Sequence, residues 1–220
     1  MKDETFSAYL TELGSKDGVS GGGSAAAYIG AMSAALVRMV ADIQKDKKSY
    51  AEKKAHLVSL LNEAERLREA FESLAKADAV AFEPVLDAYK LPKGTEEEKK
   101  ARQEAVEAAL KGAVEPPRTM LEEGLNLIQV LKELTALRMK GTIVNDLMVA
   151  TLFMESVLET AVLNVTINTK LMKDAELKEQ LEKEAESRLV HGKLELTTLS
   201  ESIRYFLQHN EWPKLLTEEE

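Results

Sequence analysis

Two aspartates stand where the residues around them call for apolar side chains. Leu57, Ala64, Phe71, Asp78 and Val85 recur every seven residues, beside a second row of Leu60, Leu67, Leu74, Ala81 and Ala88. A helix turns both rows to one side, so Asp78 occupies a core position. Burying an unpaired carboxylate costs several kcal/mol by rough reckoning, and the setting raises the carboxyl pKa. Such a group can give or take a proton near neutral pH. Asp146 opens a second, strongly apolar segment and shares its azimuth with Asn164, eighteen residues or five turns later. With Asn145 and Asn168 it puts polar groups into apolar surroundings. Two readings stand for these four: caps and buried amides that satisfy backbone groups, or groups that face a ligand.

A third stretch, Ser20-Gly21-Gly22-Gly23-Ser24, runs into a segment of small side chains: Ala25, Ala26, Ala27, Gly30, Ala31, Ser33, Ala34 and Ala35. One reading is a ligand-cradling loop, because glycine admits close backbone approach and a helix N-terminus favours negative charge. The other is a loop, an N-cap serine and a central packing helix whose small residues let neighbours come near. His56, His191 and His209 stand in polar helical surroundings, with no Glu-x-x-His or His-Glu-x-x-His spacing, and read as surface residues. Arg38 and Asp42 are spaced to pair with each other. Walker, Rossmann and nucleophile-elbow patterns are absent.

The elements that position these groups read as helices throughout. Strand alternation and Asn-Gly hairpins do not occur, and the five prolines fall at 84, 92, 116, 117 and 213. Residues 3–13 form a short amphipathic helix with Phe6, Tyr9, Leu10 and Leu13 on one side, closed by Gly14. The small-residue helix reaches about Gln44. One long helix follows from about Tyr50 to Tyr89, kinked at Pro84. Leu91-Pro92-Lys93-Gly94 breaks the chain. Thr95 and Glu98 then form a capping-box pattern for a helix to about Gly112. Pro116-Pro117 suit the first turn of the next helix, which carries Met120, Leu121, Leu125, Ile128, Leu131 and Leu134. Gly141 precedes an apolar helix over 143–172, and a polar one closes the fold over 173–208, with an interruption at Gly192. The fold class is all-α: a single-domain bundle of long antiparallel helices, residues 1–212, around the small-residue helix, with 213–220 a frayed acidic tail.

Composition sets limits. The 220 residues carry 45% hydrophobic and 30% charged side chains, which suits one sizeable core. Net charge is −9, the opposite of a nucleic-acid footprint, although Lys76, Lys90 and Lys93 allow a local basic patch. No cysteine is present, which excludes disulfides and thiolate chemistry. Met1-Lys2-Asp3-Glu4 does not resemble a signal peptide. Residues 19–37 lack any charge, but four Gly, three Ser and six Ala make them a weak membrane candidate. A cytoplasmic protein without membrane contact is expected.

In order and spacing, three pieces resemble the formiminotransferase-cyclodeaminase / methenyltetrahydrofolate cyclohydrolase family. They are Ser20-Gly21-Gly22-Gly23-Ser24-Ala25-Ala26 with its small-residue helix, Asp78-Ala79-Val80-Ala81-Phe82 with Ala88-Tyr89-Lys90-Leu91-Pro92-Lys93-Gly94-Thr95, and Asn145-Asp146 with Asn164-Val165-Thr166-Ile167-Asn168. The resemblance runs from about residue 5 to residue 205. It implies an all-helical homodimer with its active site near the subunit interface, acting on a tetrahydrofolate derivative without metal or redox cofactor. Cyclohydrolase action on 5,10-methenyl-tetrahydrofolate, giving 10-formyl-tetrahydrofolate, is the leading expectation. The alternatives are cyclodeaminase action on 5-formimidoyl-tetrahydrofolate, with loss of ammonia, and a helical folate-binding or scaffold protein without catalysis. Asp78 would handle the proton and Asp146 would be a second acid or a pterin partner. Gly21, Gly22, Gly23, Ser24, Asn145 and Asn164 would shape the substrate site. Two departures from the family pattern stand out: Val19-Ser20 precede the glycines where a proline is frequent, and Gly141-Thr142-Ile143-Val144 leads to Asn145-Asp146 in place of a Gly-Asn turn and a Ser-Asp pair.

Overall fold

Gly22–Lys45 forms the helix against which the rest of the chain assembles, here α2. Its small inward side chains leave room for α3, Lys54–Ala81, to lie close. At Gly30 the approach is tightest: a β-carbon there would stand 2.5 Å from the Phe71 ring. The computed structural model describes residues 5–214. The acids of residues 1–4, including the expected helix start at Asp3, and most of the acidic tail lie outside the described residues.

Among the described residues there are eight α-helices and no strand. α1 is Phe6–Leu13, capped by Thr5 and closed at Gly14. α4 is Glu83–Lys90, α5 Glu96–Ala113, α6 Glu115–Ala136, α7 Ile143–Thr169 and α8 Ala175–His209. One continuous hydrophobic core joins α2 to α8. Side-chain pairs fix the directions. Gly30 meets Phe71 and Gly23 meets Asp78, so α2 and α3 are antiparallel. His56 with Glu133 and Arg66 with Glu123 make α3 and α6 antiparallel. Arg118 with Glu184 and Lys132 with Glu195 make α6 and α8 parallel. Lys193 with Glu159 and Thr169 with Glu182 make α7 and α8 antiparallel. It follows that α2 and α7, joined by the Ser33 hydroxyl donating to the Ala150 carbonyl at 2.9 Å, run in opposite directions.

Several local expectations hold in detail. Thr95 and Glu98 make the full capping box, Pro116 and Pro117 sit in the first turn of α6, and Gly141 takes a φ of +90° before α7. Others are corrected. The single helix over 50–89 is three pieces: a 3₁₀ stretch at Lys48–Lys53, then α3, then α4. Tyr50 leaves the helical region, and Pro84, which lacks an N–H, opens α4 rather than kinking α3. α7 stops at Thr169, three residues short of the expected end. α8 is unbroken at Gly192, which is buried. A β-carbon there would strike Leu158 of α7 and stand 3.2 Å from Leu125 of α6, so this glycine sets a helix contact and not a helix end. Beyond α8 the Trp212 ring stacks on Phe206 at 4.8 Å, and its indole N–H donates to the Met139 carbonyl at 2.8 Å.

The outward sides of α2 and α7 each carry a run of apolar residues, with Arg38 and Asp42 beside it on α2 and Asn145, Glu155, Ser156 and Thr166 on α7. On α2 the exposed or half-buried positions from 25 to 36 and at 39 and 43 are Ala25, Tyr28, Ile29, Met32, Ala35, Leu36, Met39 and Ile43. On α7 they include Val149, Leu152, Phe153, Leu163 and Ile167. By length and composition alone both helices could cross a membrane, and the bundle buries about half of each apolar window, 56% and 44%.

Candidate active site

The last turn of α3 brings Asp78 to the first turn of α2. The three glycines form that turn rather than a loop: Gly21 is the N-cap, in extended conformation, and the helix begins at Gly22. No serine caps it, which corrects that part of the packing-helix reading. Gly23 is where the missing side chain matters, because a β-carbon would collide with both Asp78 carboxylate oxygens. The Ser24 backbone N–H, one residue on, favours the charged form of that carboxylate. Burial pushes the Asp78 carboxyl above the usual carboxylate range, and the Ser24 N–H partly offsets it. The dipoles oppose each other: the negative end of α3 disfavours a carboxylate, while the positive end of α2 favours one.

Two further side chains complete this corner. Tyr9, the buried residue of α1, sets its hydroxyl 3.3 Å from the Ser24 hydroxyl and its ring 4.4 Å from that of Tyr28. Glu12 accepts hydrogen bonds from the Val19 and Ser20 N–H groups, the second at 3.0 Å, and so clasps the segment that leads into the glycines. The Ser20 hydroxyl and, after it, these N–H groups hold the Glu12 carboxyl below its ordinary range. Gly18 is needed for this clasp, since a β-carbon would run into Glu12. Sequence reasoning missed Tyr9 and Glu12. In the sequence Tyr9 looks like Phe6 and Leu10, yet those two are exposed, which corrects the expectation of one packed face.

The remaining candidates fall in two places. Asn164, half-buried, donates to the Thr160 carbonyl at 2.7 Å, and buried Asn168 donates to the carbonyls of Ala113 and Asn164. Both amides satisfy backbone groups. Because α7 opposes α2, Asn164 lies toward the Asp78 end of the bundle. Asp146 lies in the first turn of α7, but it and Asn145 do not cap it: the N-cap is Thr142, without a side-chain bond. Ten residues of α2 separate Gly23 from Ser33, and four of α7 separate Ala150 from Asp146. At 1.5 Å per residue Asp146 therefore stands about 20 Å from Asp78 along the bundle axis. Within one chain, Asp78 and Gly21–Ser24 are together, while Asn145 and Asp146 are at the far end. Arg38 pairs with Glu65 at 2.7 Å rather than with Asp42, which joins Lys45. No group of three or more His, Cys, Asp or Glu side chains suited to a metal ion occurs among the described residues.

The corner thus offers one carboxyl of raised proton affinity, one fixed N–H donor and one phenol. The formiminotransferase-cyclodeaminase family model matches residues 5–187, which include Tyr9, the glycines, Asp78 and Asp146. The chain belongs to the formiminotransferase-cyclodeaminase family. Within it, the chain is 38% identical to methenyltetrahydrofolate cyclohydrolase of Methylorubrum extorquens, over 86% of this chain and 91% of that one. It is 32% identical to formimidoyltransferase-cyclodeaminase of Rattus norvegicus, over 88% of this chain but only 36% of that longer protein. The fold matches that of formiminotetrahydrofolate cyclodeaminase from Thermotoga maritima, with a TM-score of 0.77 over 94% of this chain and 98% of that one, at 24% identity. The family's all-helical architecture is therefore the one this chain adopts.

Proposed function

We propose that this protein is a methenyltetrahydrofolate cyclohydrolase. The observation that carries the reading is the Asp78 carboxyl, desolvated and pressed against the first turn of α2, in a chain that aligns nearly end to end with a relative of that name. Water adds to the bridging carbon of 5,10-methenyl-tetrahydrofolate, and Asp78 takes one of its protons. The tetrahedral adduct then opens. The bond from the bridge carbon to ring N5 breaks, Asp78 returns its proton to N5, the adduct hydroxyl becomes the formyl carbonyl, and its proton leaves to solvent. A carboxyl of raised pKa suits both transfers near neutral pH. The residues called on need neither a metal nor a redox cofactor, and the reaction suits a cytoplasmic setting.

The same carboxyl would protonate departing ammonia in a cyclodeaminase, the reaction named for the longer relatives. The absorbance of the methenyl compound separates the two. Decay of that absorbance above the buffer rate, lost in Asp78→Asn, is expected. Unchanged decay together with conversion of 5-formimidoyl-tetrahydrofolate would replace the cyclohydrolase reading, and folate binding without turnover of either would overturn both.

We infer further that two copies pair through the apolar outward sides of α2 and α7. A two-fold axis lying in that face, perpendicular to the helices, sets the Asp146 end of one copy against the Asp78 end of the other. The 20 Å gap within one chain, about that by helix rise, then closes between chains. Mixed dimers of Asp78→Asn and Asp146→Asn subunits should regain one intact site and up to about half the activity per intact pair. Mixtures that stay inactive, or a monomeric wild type in sedimentation, would rule this out.

A further inference from the structure

Tyr9 is an outlier on its helix. It is 7% exposed, while Phe6, one turn before it, and Leu10, the next residue, are 55% and 50% exposed. Its hydroxyl meets the Ser24 hydroxyl, on a residue only 1% exposed, in the same first turn of α2 where the Asp78 carboxylate fills the space beside Gly23 and where the Ser24 N–H favours its charged form. One chain of contacts thus runs from α1 through α2 to α3. Burial pushes the Tyr9 phenol above its ordinary value. The Ser24 bond pulls the other way, and the charges of Glu12 and Asp78 add to the rise. The phenol therefore stays neutral where the enzyme would work, and acts as a fixed dipole and not as a base.

The groups around Asp78 leave this contact little competition. From α1 come Tyr9 and, behind it, Glu12. α2 brings its first-turn N–H groups and no acidic side chain in that turn. The ionised residues of α4, Glu83, Asp87 and Lys90, are exposed, as is Lys76 on α3 itself. Toward the same end, α7 brings Asn164 and Thr160, both uncharged and bonded to their own helix. Without the phenol, the Ser24 hydroxyl would be buried and unpaired, a state that costs free energy and draws it toward a carbonyl of its own turn. Without the phenol, α1 also loses its polar hold on the first turn of α2, which carries that residue's N–H.

We propose that Tyr9 is a positioning residue for Asp78: its hydroxyl holds Ser24 so that the first-turn N–H of α2 stays aimed at the carboxyl. The proposal rests on the reading of Asp78 as the proton-handling group and names a residue outside the glycine, aspartate and asparagine set that governs it. The test is a carbon-13 carboxyl titration of aspartate-labelled full-length protein, with the Asp78 signal assigned by its loss in Asp78→Asn. Loosening the N–H bond removes support for the charged form, so in Tyr9→Phe the Asp78 midpoint moves to higher pH, by about half a unit, a part of what one backbone N–H supplies. Ser24→Ala, which keeps the N–H and removes the hydroxyl partner, moves it the same way. The double variant moves it no further, because both act through one contact. The pH profile of kcat follows, with KM nearly constant.

Phe6→Ala, at an exposed neighbour, leaves the titration in place. An Asp78 midpoint unchanged in Tyr9→Phe and Ser24→Ala, with only melting temperature lowered, would overturn the proposal and leave Tyr9 a packing residue. Midpoints that add in the double variant would overturn it too. The titration reads Asp78 without turnover, so a wild type inactive on every folate tested would instead remove the catalytic reading of Asp78.

Discussion

Three glycines of α2 separate close approach to Asp78 from helix packing, and alanine at each has a different expected outcome. At Gly23 two effects compete. Alanine is favoured over glycine in a helix by roughly 0.5–1 kcal/mol, but its methyl would occupy the place of the Asp78 carboxylate. The carboxyl ends a short side chain and can swing away, so the variant folds, but its bond to the Ser24 N–H is lost. A hydrogen bond to a charged group contributes about 1.5–3 kcal/mol, and if the transition state depends on that placement kcat falls about ten- to a hundredfold. The lost bond outweighs the helix gain by about 0.5–2.5 kcal/mol, so Tm falls by roughly 1–10 °C. Gly22→Ala, which meets nothing within 4 Å, keeps or raises Tm. Any activity it loses reports ligand approach alone. Gly30→Ala drives a methyl into the Phe71 ring at 2.5–2.8 Å, an overpacking that costs about 1–3 kcal/mol. It lowers Tm by roughly 2–10 °C with turnover per folded molecule retained. The assays are methenyl absorbance decay and thermal unfolding on the same samples. Wild-type turnover in Gly23→Ala beside an inactive Asp78→Asn would refute the reasoning, since Asp78 would then work from some place other than the first turn of α2.

Other outcomes follow from single contacts. Because burial raises the folded value of Asp78 above its unfolded one, its stabilising contribution is complete below the unfolded value and is lost as pH rises through the folded one. Asp78→Asn should thus melt above wild type at pH 8, with the gap closing toward pH 4. Thr95→Ala removes the capping-box hydroxyl of α5 and should lower stability in urea by about 1 kcal/mol, with unchanged folate turnover. Gly192→Val forces a branched side chain against Leu158 and Leu125, and about 1–3 kcal/mol of destabilisation is expected in the same titration.

What could be read from the sequence was what each helix decides for itself. The rows through Leu57 and Leu60 fix the phase of α3, and so Asp78 could be placed on the inward side before any neighbour was known. The Thr95–Glu98 box and Pro116-Pro117 are local chemistry and fall where expected. Phase along one helix does not say which neighbour faces it. Asp146 and Asn164 share an azimuth five turns apart, and only the direction of α7 against α2 says which of them lies toward Asp78. Gly192 shows the same limit: a glycine that ends a helix and one that admits a leucine from another helix read identically. Tyr9 differs from Phe6 by one hydroxyl, and only the fold shows that this hydroxyl has a buried partner. Residue types disclosed the carboxyl; tertiary packing disclosed what holds it.

The sole tryptophan of the chain, Trp212, is docked on Phe206 and the Met139 carbonyl, where α6 gives way to α7. That corner lies at the Asp146 end, a bundle length from Gly23. Intrinsic fluorescence excited at the indole band therefore watches the closure of the C-terminal segment and is nearly blind to α1 and the glycine turn. Fluorescence melts of variants at the Asp78 corner will report the global transition and miss local fraying. An indole introduced at exposed Phe6 would give that corner a signal of its own, and in a Trp212→Phe background it would time the docking of α1 separately from the closing of the bundle.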